Sequence, residues 1–172
     1  SNMAGQPAPG RTRNSHPRFI AAALDASLER LRTDHVDLYY IHYPNTTVPW
    51  ADTIGALLDA QRAGKIRYIG VSNFSLEQIE GWRRAGPLHA CQPMYNMLER
   101  GIERDVLPYC REAGIAVFPY STLAHGLLTA KYADDHRFGE RDIRPQLPVF
   151  AGENCARNLA IAEREEGLDR TV

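Results

Sequence analysis

The stretch that decides the fold is VDLYYIHYPNTTVPWADTIGALLDAQRAGKIRYIGVSN, residues Val36–Asn73. It begins with an apolar, β-branched and aromatic run that ends at His42, and it continues with an amphipathic segment over Trp50–Ala63. A second apolar run over Lys65–Val71 follows. A strand, a helix and a strand in this order favour two parallel strands that are joined by a crossover helix.

The same alternation of strands and amphipathic helices continues on both sides of this stretch. We expect, in order, a helix near Ser15–Arg32, a helix capped by Ser75, a strand over Ala90–Tyr95, a helix over Glu103–Ala113, a strand over Ile115–Tyr120 and a last helix near Asn154–Glu166. The pattern predicts an α/β fold with about four parallel strands and flanking helices. Residues 1–14 are rich in Gly, Pro and polar residues, so we expect a flexible segment there and one domain over 15–172.

The length of the chain limits the choice of α/β fold. An eight-stranded β/α barrel typically needs about 250 residues, and this chain has 172. The sequence contains neither the GxGxxG motif of a dinucleotide-binding sheet nor the GxxxxGK[ST] motif of a phosphate loop. We therefore expect a partial barrel.

Charge and hydropathy exclude two classes of partner. The formal net charge is −1 and the charged residues are interspersed, so the sequence offers no basic face for nucleic acid. No apolar run is long enough to span a membrane, and the N-terminus has no signal pattern. We expect a cytoplasmic protein.

Metal binding is not expected. The three cysteines are widely spaced and odd in number, which is typical of free thiols: Cys91, Cys110 and Cys155. Four other residues lie in a polar segment without regular ligand spacing, which favours a solvated loop: His125, Asp134, Asp135 and His136.

Polar residues at the ends of the predicted strands are the candidate functional groups. His42 could polarise a carbonyl at the rim of the sheet, or it could be an ordinary histidine that is hydrogen-bonded to the backbone. Asn73 could pair with a carboxamide ligand, because Ser75 is available for helix capping and would leave it free. Gln92 has the same amide chemistry, although a polar residue at a strand end needs no function. Tyr120 could stack on a planar ring or belong to the core.

Taken together, IHYP, GVSNF, QPMYNMLER and PYSTLAHGLLTAKY resemble the aldo-keto reductases, and more closely their bacterial and potassium-channel-β-like branch. The resemblance covers about residues 15–172. It implies strands four to seven of a TIM (β/α)8 barrel and NADPH-dependent reduction of a small-molecule carbonyl to an alcohol.

The resemblance also implies roles for individual residues. His42 matches the catalytic histidine that orients and polarises the substrate carbonyl. Ser72, Asn73 and Gln92 match residues that hydrogen-bond the nicotinamide carboxamide, and Tyr120 matches the aromatic residue that stacks on its ring. Three residues match the loop along the cofactor pyrophosphate: Ser121, Leu123 and Gly126. Lys131 lies in the same segment without an assigned role.

Other features of the family have no counterpart in the sequence. The resemblance places a catalytic aspartate, a proton-donating tyrosine and a lysine on earlier strands, and none is matched here. We therefore expect weak or absent activity in this form, which is either a fragment or a shortened protein. Two alternatives stay open: a non-catalytic nicotinamide-nucleotide-binding regulatory module and a structural subunit. Four strands also leave two open sheet edges, so we expect a homo-oligomer.

Overall fold

The computed structural model describes residues 14–129, 131–132 and 136–169. Residues 1–13 of the predicted N-terminal segment, together with Asp134 and Asp135, lie outside the described residues, and so do the side chains of 163–169. The described chain divides into two compact units. The first contains residues 14–93 and Ile102–Phe118, and the second contains Met94–Gly101 and the residues from Pro119 onward.

Four parallel strands form one sheet in the order β1-β2-β3-β4, and all of them lie in the first unit. The strands are β1 Val36–Ile41, β2 Ile66–Ser72, β3 Ala90–Gln92 and β4 Ala116–Val117. The helices are α1 Pro17–Leu31, α2 Trp50–Arg62, α3 Leu76–Ala85, α4 Val106–Glu112 and α5 Glu153–Asp169. Short 3-10 segments cover Gly101–Arg104, Ala124–Thr129, Arg144–Gln146 and Pro148–Phe150. Sequential parallel strands with helical crossovers confirm the predicted fold class.

One face of the sheet packs on the helices and forms the core of the first unit. Along β2, Ile69 and Val71 are fully buried, whereas Tyr68 on the opposite face is 52% exposed. Leu57 of α2 and Trp82 of α3 are fully buried in the same core. Burying a side chain of this size contributes about 1.5–3 kcal/mol, so these contacts fix the sheet against its helices.

Helix α3 begins where the sequence predicted it. Ser75 accepts a hydrogen bond from the backbone N–H of Gln78, and the Gln78 side chain accepts one from the backbone N–H of Ser75. This capping box satisfies two donors that the first turn of a helix leaves without partners. The turn that carries Asn73 therefore lies between strand β2 and the capped start of helix α3.

Two predicted strands are shorter in the structure. The strand expected over Ala90–Tyr95 ends at Gln92, because Pro93 has no N–H to continue the ladder, and pairing then returns only as a bridge from Met94 to Tyr120. The strand expected over Ile115–Tyr120 is correspondingly limited to Ala116–Val117.

The helix expected over Glu103–Ala113 is divided in the structure. Asp105 adopts φ −144°, and its carboxylate accepts a hydrogen bond from the N–H of Val106 at 2.6 Å. An aspartate in this conformation begins a new helix, so a 3-10 turn precedes α4.

No helix in the described part of the chain is long and apolar enough to cross a membrane.

Candidate functional site

The carboxyl ends of β1, β2 and β3 bring four of the candidate residues together in the first unit. The register pairs Ile41 with Val71 and Ser72 with Gln92. His42 and Asn73 follow these pairs directly along the chain. The prediction that these residues share one edge of the sheet is therefore confirmed by the pairing, and their ligand roles stay predictions.

Ser72 connects the second strand to the third at this rim. Its side chain is fully buried, and its hydroxyl donates a hydrogen bond to the backbone carbonyl of Gln92 at 2.8 Å. A buried hydroxyl needs such a partner, because leaving it without one costs about 1–3 kcal/mol. Ser72 consequently holds the β2–β3 rim in place.

Asn73 lies in the left-handed region with φ 62°. Its Nδ2 donates to the backbone carbonyl of His42 at 3.0 Å and to Oγ of Ser72 at 3.1 Å, and its N–H donates to the carbonyl of Gln92 at 3.4 Å. The expectation that capping by Ser75 leaves the Asn73 side chain free is wrong for its amide nitrogen. Asn73 connects the ends of three strands.

Gln92 is half-buried at the end of β3. Its backbone carbonyl accepts from both Ser72 and Asn73, but within the described part of the chain its side-chain amide forms no hydrogen bond. An amide carries two donors and an acceptor that water or a ligand must satisfy. Gln92 is therefore the rim amide best placed to pair with a ligand carboxamide.

His42 is exposed at the end of β1, and its ring packs against the ring of Tyr43 with centroids 4.6 Å apart. Partial desolvation lowers the pKa of His42 below its ordinary value of 6.5. The lowered pKa favours the neutral imidazole, which has one N–H donor and one acceptor nitrogen. Such a group can donate a hydrogen bond to a carbonyl oxygen, but it is a poor source of a proton.

The remaining candidates lie in the second unit, on the segment that begins at Tyr120. Tyr120 is half-buried and forms the isolated parallel bridge with Met94. The amide of Asn96 donates to the backbone carbonyl of Ser121 at 3.0 Å, and Oγ of Ser121 lies 2.9 Å from Nε2 of His125. The start of the segment is thus fixed by hydrogen bonds, whereas Leu123 is 57% exposed and contributes little to the apolar core.

The backbone of this segment turns through several left-handed residues. Ser121, Ala124 and His125 have φ values of 58°, 46° and 59°, and Gly126 has φ 90°. Left-handed conformations cost non-glycine residues roughly 1–2 kcal/mol each, so their succession here marks a turn that the surroundings hold in place.

Gly126 allows a close approach that a side chain would block. A Cβ atom at this position would lie 2.8 Å from Cε and 2.9 Å from Nζ of Lys131, and 3.1 Å from the hydroxyl oxygen of Tyr132. The Lys131 ammonium also lies 5.0 Å from the centroid of the Tyr132 ring. A left-handed glycine therefore has a lysine ammonium directly over its backbone.

A second cation lies beside this turn. Nε of Arg144 donates to the two carboxylate oxygens of Asp142 at 2.9 and 3.0 Å, and its guanidinium also donates to the hydroxyl of Tyr132. The hydrogen bonds from Arg144 hold the pKa of Asp142 at about 2. Burial, followed by the charge of Arg144, lowers the pKa of His125.

Several of these groups have no role that the sequence predicted. They are Lys131, Tyr132, Arg144 and the contact between Ser121 and His125. Turns bring them together, and the hydrophobic period of the sequence carries no signal for such contacts.

Metal ligands do not cluster in the described residues. No group of three or more His, Cys, Asp or Glu could hold a metal ion within residues 14–129, 131–132 and 136–169. The three cysteines are free thiols. Cys91 and Cys110 are buried together, and the hydrogen bond between their thiols, with burial, raises the pKa of Cys91 well above its ordinary range.

Comparison with known proteins gives one consistent result. The family model described as "Aldo/keto reductase family" matches residues 6–169. The aldo-keto reductase YhdN from Bacillus subtilis is 38% identical over 159 residues, which cover 92% of this chain and 48% of that protein.

Two solved structures extend the match to the fold. The glycerol dehydrogenase AKR11B4 from Gluconobacter oxydans matches with a TM-score of 0.85 at 38% identity, over 91% of this chain and 48% of that one. An aldo-keto reductase from Klebsiella pneumoniae, solved in complex with NADPH, matches with a TM-score of 0.60 at 30% identity, over 80% of this chain and 45% of that one. The chain spans about half the length of the curated relatives it matches.

Proposed function

Because this chain belongs to the aldo-keto reductase family of oxidoreductases, we propose that it binds NADP(H) and contributes to the reduction of a small-molecule carbonyl to an alcohol. The observation that carries the proposal is the set of polar groups at the ends of β1, β2 and β3. Relatives of similar sequence support the choice of nucleotide, since a K. pneumoniae relative was solved with NADPH. NADPH, when bound, supplies the hydride.

The donor set at the rim fits a carboxamide. Gln92 offers an amide that no described residue of the chain engages, and Ser72 and Asn73 fix the backbone beside it. A primary carboxamide has both donors and an acceptor, so an amide side chain can pair with it through two complementary hydrogen bonds. In this proposal Gln92 forms the main contact with the carboxamide, and Ser72 and Asn73 hold the rim beside it in place.

The turn at Gly126 fits phosphate oxygens. Lys131 is exposed, carries a full positive charge and lies over a backbone that lacks a Cβ, so an anion could approach both groups. Ser121 adds a hydroxyl within the same segment. We assign Ser121, Leu123 and Gly126 to the phosphate part of the cofactor and Tyr120 to an aromatic contact with the nicotinamide ring.

His42 is assigned to the substrate carbonyl. A neutral imidazole at the rim can donate a hydrogen bond to the carbonyl oxygen and orient it. Its lowered pKa makes it less available as a proton donor at neutral pH. The loss of one positioned acid typically costs about 10²–10⁴-fold in rate. The 172-residue chain should therefore bind the nucleotide but reduce the substrate slowly.

Titration of the chain with NADPH, followed by nicotinamide fluorescence, tests the binding proposal. Gln92→Ala should weaken affinity about 5- to 100-fold, the equivalent of about 1–3 kcal/mol for a buried amide partner that is left unsatisfied. Gln146→Ala removes an exposed glutamine outside the rim and serves as the matched control. Equal affinity for the Gln92 variant and the parent would exclude the rim as the carboxamide site, and a parent that binds no NADPH would favour a structural subunit.

Oxidation of NADPH with a panel of aldehydes and ketones tests the catalytic part. We expect turnover well below about 1 s⁻¹, the lower end of ordinary enzyme values. Turnover at or above that value would mean that this chain contains a proton donor that the family resemblance does not identify. Binding without turnover would favour a regulatory nucleotide-binding module.

A further inference from the structure

His125 contacts the hydroxyl group of Ser121 in the turn that follows Tyr120. Nε2 of the imidazole lies 2.9 Å from Oγ of Ser121. Both residues are half-buried and left-handed, with φ values of 59° for His125 and 58° for Ser121. A left-handed backbone is unfavourable for a residue with a Cβ, so contacts around the turn must hold both residues.

Two hydrogen bonds fix the backbone of this pair. Nδ2 of Asn96 donates to the carbonyl of Ser121 at 3.0 Å, and the hydroxyl of Tyr132 donates to the carbonyl of His125 at 3.4 Å. Asn96 is itself buried, and its Oδ1 accepts from two backbone N–H groups. The turn therefore brings the side chains of Ser121 and His125 together through contacts other than their own hydrogen bond.

The single hydroxyl proton of Ser121 has two possible directions. A nitrogen of a neutral imidazole either accepts a hydrogen bond or donates one, depending on the tautomer. If Nε2 accepts, the Ser121 proton points at His125 and only the lone pairs of Oγ face outward, where they repel an anion. If Nε2 carries a hydrogen, Oγ accepts from it, and the Ser121 proton can point at a phosphate oxygen. Only the second arrangement is compatible with a phosphate group bound by Ser121.

We propose that His125 is a positioning residue that carries a hydrogen on Nε2 and thereby makes the Ser121 hydroxyl a donor to a phosphate group bound at the Gly126 turn. The inference rests on the phosphate part of the proposed function. A protonated imidazole has a hydrogen on both ring nitrogens, so it meets the same requirement and adds a positive charge. Phosphate binding and protonation of His125 should therefore favour each other.

The titratable groups around His125 lie on two loop segments and on helix α5. Tyr132 donates to the His125 carbonyl, and the Lys131 ammonium lies over the backbone of the neighbouring glycine. Arg144 is paired with Asp142 and donates to the Tyr132 hydroxyl. Helix α5 packs against the same segment, and the charged residues whose side chains are described on it are exposed: Glu153 and Arg157.

These surroundings set the direction of the pH dependence. Burial, followed by the charge of Arg144, lowers the pKa of His125 in the protein without a ligand. A bound phosphate places negative charge beside the imidazole and raises that pKa. Because the pKa is higher in the complex than in the free protein, affinity for phosphate should rise as the pH falls from about 7.5 to 5.5.

Calorimetric titration with inorganic pyrophosphate tests the proposal on a matched pair of variants. His125→Gln keeps an N–H donor near the position of Nε2, whereas the shorter amide of His125→Asn does not reach Ser121. Asparagine tolerates a left-handed backbone well, so backbone strain does not explain weaker binding by the Asn variant. At pH 7.5 we expect His125→Asn to weaken binding about 5- to 20-fold and His125→Gln less than about twofold. Asn and Gln variants that bind equally, whether tightly or weakly, would overturn the proposal.

Two further readouts exclude a merely structural role. Between pH 7.5 and 5.5 the affinity of the parent should rise about 3- to 10-fold relative to His125→Gln, and the comparison at each pH cancels the titration of pyrophosphate itself. In a Ser121→Ala background, His125→Asn should change affinity at pH 7.5 by less than about twofold, because His125 acts through the hydroxyl. A constant ratio across the pH range, or an undiminished loss in that background, would contradict the proposal.

Long-range ¹H–¹⁵N correlation spectra of the parent decide the question if the His125 variants fail to fold. With pyrophosphate bound, Nε2 of His125 should have the chemical shift of a protonated nitrogen, and an unprotonated Nε2 in the complex would refute the proposal.

Titration of the same samples with NADPH separates this inference from the proposed function. A parent that binds pyrophosphate with the expected dependence on His125, but binds no NADPH, supports the inference and contradicts only the proposed function. Binding of both ligands without any dependence on His125 contradicts only the inference. A parent that binds neither ligand contradicts both.

Discussion

Asn73 provides the most direct test of how the rim is held together. Asn73→Ala removes the hydrogen bonds from Nδ2 to the carbonyl of His42 and to Oγ of Ser72, and it places an alanine at φ 62°. Asparagine tolerates the left-handed region better than other residues that carry a Cβ, because its short polar side chain can hydrogen-bond locally. The substitution therefore affects both a side-chain contact and the backbone.

The expected loss of stability is the sum of the lost side-chain hydrogen bonds and the strain of a left-handed alanine. Hydrogen bonds of this kind contribute about 0.5–1.5 kcal/mol each, and a left-handed alanine costs about 1 kcal/mol. We expect the free energy of unfolding to fall by about 2–4 kcal/mol. Asn73→Gly removes the same hydrogen bonds but accepts the backbone conformation, so it should be less destabilising than Asn73→Ala by about 0.5–1 kcal/mol.

Urea denaturation followed by tryptophan fluorescence measures both variants. Trp50 and Trp82 pack against Phe74, the residue that follows Asn73, with ring centroids 5.4 and 5.8 Å away. Their emission therefore reports on the element that carries the substitution. An Asn73→Ala variant within about 0.5 kcal/mol of the parent, the range of an ordinary surface change, would refute the role of the side chain. An Asn73→Gly variant that is less stable than Asn73→Ala would refute the backbone part.

Two further predictions concern the second unit. Gly126→Ala should lower the free energy of unfolding by about 1–2 kcal/mol, because φ is 90° and Lys131 must move. Gly139→Ala should have little effect, because nothing lies within 4 Å of the added Cβ and the backbone is not left-handed. Urea denaturation followed by far-UV circular dichroism measures both variants, and equal losses of stability would contradict the prediction. His125 has a folded pKa below 6.5, so the unfolded chain binds its proton more readily and stability should fall as pH drops below about 6.5. His125→Gln should reduce that fall between about pH 7.5 and 5.5, and an unchanged pH dependence would show that His125 does not contribute.

The sheet and its rim could be predicted because a strand encodes its own geometry. A parallel strand in a buried sheet reads as a dense apolar run, and the first polar residues after it must emerge at the carboxyl edge. This places Ser72 beside Gln92, as the register shows. The early end of β3 also had a signal in the sequence, because Pro93 cannot donate to a ladder.

The hydrogen bonds of the rim could not be predicted in the same way. Asn73 reaches the carbonyl of His42 across 31 positions in sequence because its backbone is left-handed. Neither the apolar period nor the capping pattern at Ser75 contains that information. The sequence shows that Asn73 is an amide at the end of a strand. The conformation of the turn determines that its Nδ2 donates to the carbonyl of His42 and to Oγ of Ser72.

In the segment after Tyr120, the contacts between charged groups could not be predicted from the sequence. Lys131 and Tyr132 meet Gly126 because a glycine at φ 90° leaves room for them, and Arg144 reaches Tyr132 from 12 positions further along the chain. A sequence shows that a glycine is present, but the sign of φ is set by the surrounding contacts. The family resemblance had already pointed to Ser121, Leu123 and Gly126 as a phosphate-binding segment. In such a segment the backbone conformation of one glycine decides which cations lie beside it, so the position of Lys131 over Gly126 could be found only from the structure.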